Sequence, residues 1–292
     1  MTTIAVTAAS GQLGRLVVDA LLQRGVAPAS IVAAVRTPTA VEDLAARGVQ
    51  VREADYTKPE TLKAAFEGVD RVLLISSSAV GQRAAQHENA IAAAEEAGVE
   101  LLAYTSVLQA DTTTMQLAAE HQETERRLAD ATVPVALLRN GWYVENYTGQ
   151  LEVALEHGVA GSAGDGRLSP ATRRDFAEAA AAVLTGDGHE GATYELGGDE
   201  AVTMAEIAAL IGQATGRDVA YVDLPVEAYT EVLSNAGLPA PVDAIIADSS
   251  AAVGRGELHT DSGDLSRLIG RPTTPVAEGI REAVAAAGPV AS

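Results

Sequence analysis

The stretch Thr7-Ala8-Ala9-Ser10-Gly11-Gln12-Leu13-Gly14 constrains this chain more than any other. A short apolar run, Thr3 to Val6, precedes it, and Leu16, Val17, Val18, Leu21 and Leu22 follow at helical spacing as far as Gly25. Strand, small-residue turn and helix therefore meet in one βα unit. In that setting a glycine-bearing turn becomes a dinucleotide site, because the first amides of the helix have no intrahelical acceptor and face the pyrophosphate. Gly11 lets the backbone approach the phosphates, and Gly14 lets the helix lie close on the strand. Alanine at position 8 stands where a first glycine is usual. The competing reading, small residues used for packing alone, is disfavoured by the periodic βα units that follow. Thr7, Ser10, Gly11, Gln12 and Leu13 are the candidate contacts of this turn.

Strand and helix patterns then alternate. Strands are expected at 31–35, 49–52, 71–75, 101–104 and 135–138, with helices between them, including long ones at 82–97 and 115–131. Alternation of this kind predicts a parallel sheet with right-handed crossovers. The fold class is α/β, a Rossmann-type doubly wound sheet over residues 1–150. A smaller C-terminal α/β substrate region is expected over 151–292, with some segments returning to the sheet. In the latter part, Thr203 and Glu206 read as a capping box.

Composition narrows the function. Lys plus Arg number 20 against 40 Asp plus Glu, a formal net charge of −20, with no local basic patch, which argues against nucleic acid as a partner. With 0 cysteines there are no disulfides, no thiol catalysis and no cysteine-ligated metal. No apolar run approaches a membrane span and no basic-apolar leader opens the chain, so the cytoplasm is expected. His87, His157, His189 and His259 show no metal-ligand spacing, and no metal is expected.

In such a sheet ligands meet the carboxyl ends of the strands. Arg36 follows the second strand, where an acid would hydrogen-bond the ribose of NAD. Arginine suits a 2′-phosphate instead, so NADPH is favoured and NADH is the weaker partner. The alternative for Arg36 is a surface ion pair with Glu42 or Asp43. Asp55 either accepts the adenine amino group or serves as a turn acid. Ser76, Ser77 and Ser78 leave room for a ribose, or form a serine-rich turn for its own sake, and Gln82 and Thr105 are further candidate cofactor contacts.

The sequences TAASGQLG, VRTP, ADY, LLISSS with VGQR, AYTSVL and LLRNGWYVENY, continuing to IGRPTTP, resemble the NmrA-like branch of the atypical short-chain dehydrogenases. Within that branch they are similar to the bacterial type 2 NAD(P)H:quinone oxidoreductases. The resemblance covers nearly the whole chain. It implies a Rossmann domain carrying NADPH, a C-terminal region over a substrate cleft, and reduction of a quinone-like small molecule. A homodimer is compatible with it. Some members of the branch act as cofactor-sensing regulators, which is the alternative function.

Ordinary short-chain dehydrogenases use a tyrosine and a lysine four residues later to protonate an alkoxide. The comparable helix here carries His121 and Glu125 at that spacing, which cannot reproduce the pair. His121 lies on a stripe with Leu117, Thr124 and Leu128 and is expected to face inward, as a helix-face histidine or a catalytic one. A quinone needs no strong acid, because its reduced anion is stable enough for water to protonate. Placing the two rings together is then the main requirement. Asn140 and Tyr143 are the candidate catalytic groups. Asn140 would also touch the cofactor, while Trp142, Tyr143 and Asn146 would touch the substrate; core packing is the competing role for Trp142.

Overall fold

The structure, a computed structural model, describes residues 2–287. Seven strands form the main sheet: β1 (Ile4–Thr7), β2 (Ile31–Val35), β3 (Gln50–Glu53), β4 (Arg71–Leu74), β5 (Leu101–Val107), β6 (Val135–Asn140) and, after two short strands elsewhere, β9 (Thr193–Leu196). Between them run α1 (Gln12–Gln23), α2 (Glu42–Ala46), α3 (Pro59–Phe66), α4 (Arg83–Ala97) and α5 (Ala119–Ala129). The order across the sheet is β3-β2-β1-β4-β5-β6-β9, and the registers of the first five pairings are parallel. Strand order reverses between β1 and β4, so their carboxyl ends open a crevice of the kind in which α/β sheets bind ligands. β1 and β2 are buried along their whole length and, apart from Thr7, apolar, because helices cover both faces.

After β6 come α6 (Glu145–Thr148), α7 (Leu151–His157), β7 (Val159–Gly161), β8 (Arg167–Leu168) and α8 (Arg173–Thr185). Past β9 lie β10 (Val202–Thr203), α9 (Met204–Thr215), β11 (Tyr221–Asp223), α10 (Val226–Asn235), α11 (Val242–Gly254), α12 (Asp264–Ile269) and α13 (Val276–Ala287). Contacts divide the chain into two units. The first comprises the residues up to Val107, Glu120–Asn140 and Arg173–Tyr194; the second comprises Leu108–Ala119, Gly141–Thr172 and the residues from Glu195 onward. The chain passes to the second unit at Leu108, at Gly141 and at Glu195, and α8 belongs to the first.

In the first unit one face of the sheet packs Leu62, Phe66, Ile91, Leu102, Tyr104 and Leu128 into a continuous core. On α1, Val17, Val18 and Leu21 are fully buried, and α8 packs against that helix. The second unit holds two small sheets, β8 with β10 antiparallel and β7 with β11 parallel. Its α9 opens with the expected capping box: Thr203 Oγ1 accepts the Glu206 N–H at 3.2 Å, and the Glu206 carboxylate accepts the Thr203 N–H at 2.7 Å. Among the described residues no helix is long and apolar enough to cross a membrane.

Most boundaries shift by a residue or two, and three larger differences concern β5, β6 and α5. Strand β5 continues past Tyr104 to Val107, and β6 continues past Leu138 to Asn140, with Thr105, Ser106 and Val107 facing Leu138, Arg139 and Asn140 in register. Polar side chains do not end a strand whose neighbour satisfies its backbone and whose surroundings satisfy the side chains. Thr105 accepts a hydrogen bond from the Ser76 N–H, and Ser106 donates to Glu125. The expected helix at 115–131 starts as a 3-10 turn, Gln116–Ala118, and is α-helical only from Ala119.

Candidate cofactor and substrate site

The turn after β1 is shaped by steric exclusion. A Cβ on Gly14 would lie 2.4 Å from the Ala8 carbonyl oxygen and 2.7 Å from the Ala9 Cα, so only glycine lets α1 sit this close to the turn. Ala8 has φ +48°, the left-handed region that glycine occupies without penalty. Alanine in the first-glycine place therefore takes a glycine's conformation. Gly11 donates its N–H to the Ala8 carbonyl at 2.8 Å and begins α1 without a side-chain cap. Ser10, Gly11 and Gln12 are exposed and Leu13 is buried, so Leu13 can offer a ligand only its amide. The exposed turn and the uncapped α1 amides fit a pyrophosphate. Thr7 differs from expectation. Its hydroxyl donates to the Leu73 carbonyl at 3.0 Å, accepts the Ile75 N–H at 2.9 Å and lies 2.5 Å from the Tyr56 hydroxyl. Fully buried, it stitches β1 to β4 and leaves no side-chain atom for a ligand.

Arg36, just past β2, is exposed and has no hydrogen-bond or ion-pair partner among the described residues. The alternative pairing with Asp43 fails because Arg15 takes that carboxylate at 2.7 Å while also donating to the Ala40 carbonyl. Asp55 serves its own turn: Oδ1 accepts both the N–H and the hydroxyl of Thr57 at 2.9 and 2.8 Å. Those bonds, with Lys58 and Arg36 adding positive potential, hold its carboxyl below the usual range. Its Oδ2 lies 3.9 Å from Lys58 Nζ. Ser76, Ser77 and Ser78 follow β4. Ser76 donates its N–H to Thr105 Oγ1 at 2.9 Å, Ser78 is exposed, and Gln82 is exposed at the start of α4.

Asn140 is the last residue of β6 and is 6% exposed, whereas a position beyond the strand was expected. A Cβ on Gly141 would stand 2.9 Å from the Leu196 carbonyl oxygen, and the Gly141 N–H donates to that oxygen at 2.7 Å. In the second unit Ala171 donates to the Trp142 carbonyl and accepts from the Val144 N–H, a parallel bridge that fixes Tyr143 between them. Asn146 lies in the short turn of α6, its N–H on the Tyr143 carbonyl. Trp142, Tyr143 and Asn146 are all half-buried. Among the described residues no cluster of three or more His, Asp or Glu side chains could hold a metal ion.

The NmrA-like family model matches residues 1–271. The chain belongs to the NmrA-like family. It is 50% identical over 279 residues to quinone oxidoreductase 2 of Escherichia coli (strain K12), covering 95% of this chain and 97% of that protein. Its fold matches the crystal structure of the Escherichia coli NADPH-dependent quinone oxidoreductase QOR2 complexed with NADPH, with TM-score 0.92, 48% identity and coverage of 96% and 99%. It also matches the Citrobacter sp. triphenylmethane reductase complexed with NADP(H), with TM-score 0.90, 37% identity and coverage of 96% and 100%.

In this NmrA-like chain α5 has work unlike that of a proton-delivering helix. Arg139 Nη2 meets Glu125 Oε2 at 2.7 Å and its Nε meets Oε1 at 3.1 Å, while the Ser106 hydroxyl donates to Oε1 at 2.5 Å. Glu125 is thereby fixed in a nearly buried ion pair. His121 faces inward as expected, with Nδ1 2.7 Å from the Tyr104 hydroxyl. Burial, with Arg83 and His87 nearby, holds its imidazole well below the ordinary pKa and so neutral. Residues that sequence reasoning passed over are Tyr56, Arg83 and Gln86, with His87 weighed only as a metal ligand. The available signal was the i, i+3, i+4 spacing of Arg83, Gln86 and His87 at the head of an otherwise alanine-rich helix.

Proposed function

We propose that this NmrA-like protein is an NADPH-dependent reductase that passes hydride directly to a quinone or similarly flat electrophile. When bound, NADPH supplies the hydride. The α1 amides take the pyrophosphate, Arg36 takes the 2′-phosphate with a charged hydrogen bond that NADH cannot make, and Ser76, Ser78, Gln82 and Asp55 flank the nucleoside. Asn140 orients the nicotinamide amide or the developing oxyanion. Trp142 and Tyr143 offer ring faces to the acceptor, and Asn146 offers a hydrogen-bond donor.

The observation that carries this reading is the Glu125–Arg139–Ser106 lock together with the neutral, buried His121. A helix committed in this way delivers no proton, so the acceptor must be one whose reduced anion water can protonate. The cofactor assignment draws on the NADPH and NADP(H) complexes of the similar proteins.

The test is NADPH consumption with a simple benzoquinone beside a simple ketone. Turnover of the quinone alone is expected, and His121→Phe should keep that rate within about tenfold of the parent. NADPH binding without quinone turnover would select the regulator reading, and equal turnover of the ketone would require an acid that this account lacks. The net charge of −20 supports a protein that binds neither nucleic acid nor an anionic membrane surface. Light scattering decides whether it is a homodimer.

A further inference from the structure

All three polar groups of Ser77 are held from one helix. Its N–H donates to His87 Nε2 at 3.0 Å, its carbonyl accepts from Arg83 Nε at 2.7 Å, and its hydroxyl donates to Gln86 Oε1. Arg83, Gln86 and His87 lie on the first turns of α4, on one face, and are 5%, 9% and 1% exposed. Burial of three such residues is unusual without a role for them. Helix α5 supports them from behind. Glu120 Oε1 accepts the Arg83 N–H at 3.0 Å, and His87 Nδ1 lies 2.9 Å from Thr124 Oγ1, whose own proton goes to the Glu120 carbonyl at 2.8 Å.

The donors and acceptors admit one arrangement. His87 Nε2 takes an N–H and must carry the lone pair, so Nδ1 carries the proton and donates to Thr124. Burial and the neighbouring Arg83 charge push the His87 imidazole down to about 3, which keeps it neutral. Ahead of Ser77 the loop is fixed to the sheet, by Ser76 N–H to Thr105 Oγ1 and by Ile75 N–H to Thr7 Oγ1.

We propose that Arg83, Gln86 and His87 are positioning residues for NADPH: by gripping Ser77 they hold Ser76 and Ser78 in the shape the nucleoside meets, so that the cofactor does not have to order the loop. The proposal rests on the assignment of Ser76–Ser78 to the cofactor site. A ligand that meets a preordered loop loses less binding energy to ordering it. None of the three touches the reacting atoms, and they act through Ser77 alone.

The test compares His87→Leu, which removes the acceptor at similar volume, with His87→Gln, whose amide oxygen can reach the place of Nε2. Readouts are NADPH affinity by its fluorescence, hydrogen exchange of the Ser77 amide in the cofactor-free protein, melting temperature, and the split between KM and kcat. His87→Leu should weaken NADPH binding about tenfold and speed Ser77 exchange about tenfold, with kcat at saturating NADPH within about threefold. His87→Gln should recover both to within about threefold. Unaltered NADPH affinity in a folded His87→Leu protein overturns the proposal, as does equal weakening in both variants in step with a fall in melting temperature. If His87→Leu does not fold, Gln86→Leu decides: about threefold weaker NADPH binding is expected, and none overturns it. Arg36→Ala separates the two failures. Selective loss of NADPH there, with His87→Leu unaffected, removes only the clamp, whereas no loss in Arg36→Ala removes the cofactor-site assignment beneath it.

Discussion

The turn after β1 and the loop after β4 leave neighbouring strands at the same edge of the sheet, yet opposite means hold them in shape. The first is ordered by contact: Gly14 brings α1 against Ala8 and Ala9, and the α1 amides remain open. The second is ordered by hydrogen bonds that engage every polar group of Ser77. A cradle for an anion must leave its donors free, so its shape has to come from sterics. A loop that presents hydroxyls can commit its backbone to neighbours, and the cost is a set of buried polar side chains that must all be satisfied.

The sharpest way to break this contrast is Gly14→Ala. The added methyl has no space against the Ala8 carbonyl, so a stability loss of about 3 kcal/mol is expected. NADPH and NADH affinity should fall together; denaturant titration and cofactor binding measure both, and unchanged stability would mean that contact does not order the turn. Arg36→Ala should be selective where Gly14→Ala is not. A loss of about 1.5–3 kcal/mol for NADPH is expected, and little for NADH. Equal losses for the two cofactors in a calorimeter would take Arg36 away from the 2′-phosphate.

The hydrogen-bonded loop makes a pH prediction that the steric turn does not. Burial depresses both His87 and His121, so below the unfolded value of 6.5 the unfolded chain binds protons that the folded chain refuses. Their contribution is fully present above pH 6.5 and is lost as pH falls toward the folded value, about 3 for His87. Depressed carboxylates such as Glu257 add loss of the same sign only below their unfolded value of 4.5, which leaves the interval above it to the imidazoles, with a smaller share from His189. Stability should decline there by about 1.4 kcal/mol per pH unit for each fully neutral imidazole. His87→Gln should flatten the slope by roughly half if the two contribute alike; an unchanged slope would show that His87 titrates normally. The smallest effect belongs to Ala8→Gly, which relieves the positive φ and should stabilise the fold by about 0.5–1 kcal/mol after glycine's extra unfolded-state entropy is deducted. A lower melting temperature would mean that the methyl packs usefully.

The sequence made the steric turn legible and hid the hydrogen-bonded loop. Glycine spacing records a backbone requirement directly, and the position of Arg36 after β2 follows from counting along one βα unit. Three serines say nothing about what grips them, since the grip depends on which face of α4 turns inward and on Glu120 and Thr124 from another helix. The alternation of elements was readable because the middles of buried parallel strands are apolar. The polar ends of β5 and β6 were not, because Thr105, Ser106 and Arg139 find partners that only the folded sheet supplies. Asp55 read as a ligand or a turn residue, and the Thr57 bonds tie one of its two carboxylate oxygens to the turn.

The packing of α8 on α1 has a consequence for the order in which the protein can be made. Val17, Val18 and Leu21 are synthesised early, but the helix that packs against theirs begins only at Arg173. While the ribosome translates the intervening chain, that apolar stripe lacks its native cover, and the first unit cannot close until the stretch through Tyr194 has emerged. Folding of the nucleotide-binding half is therefore tied to translation well past its own sixth strand. A nascent chain halted at Asn140 would present a greasy helix to chaperones in place of a finished domain.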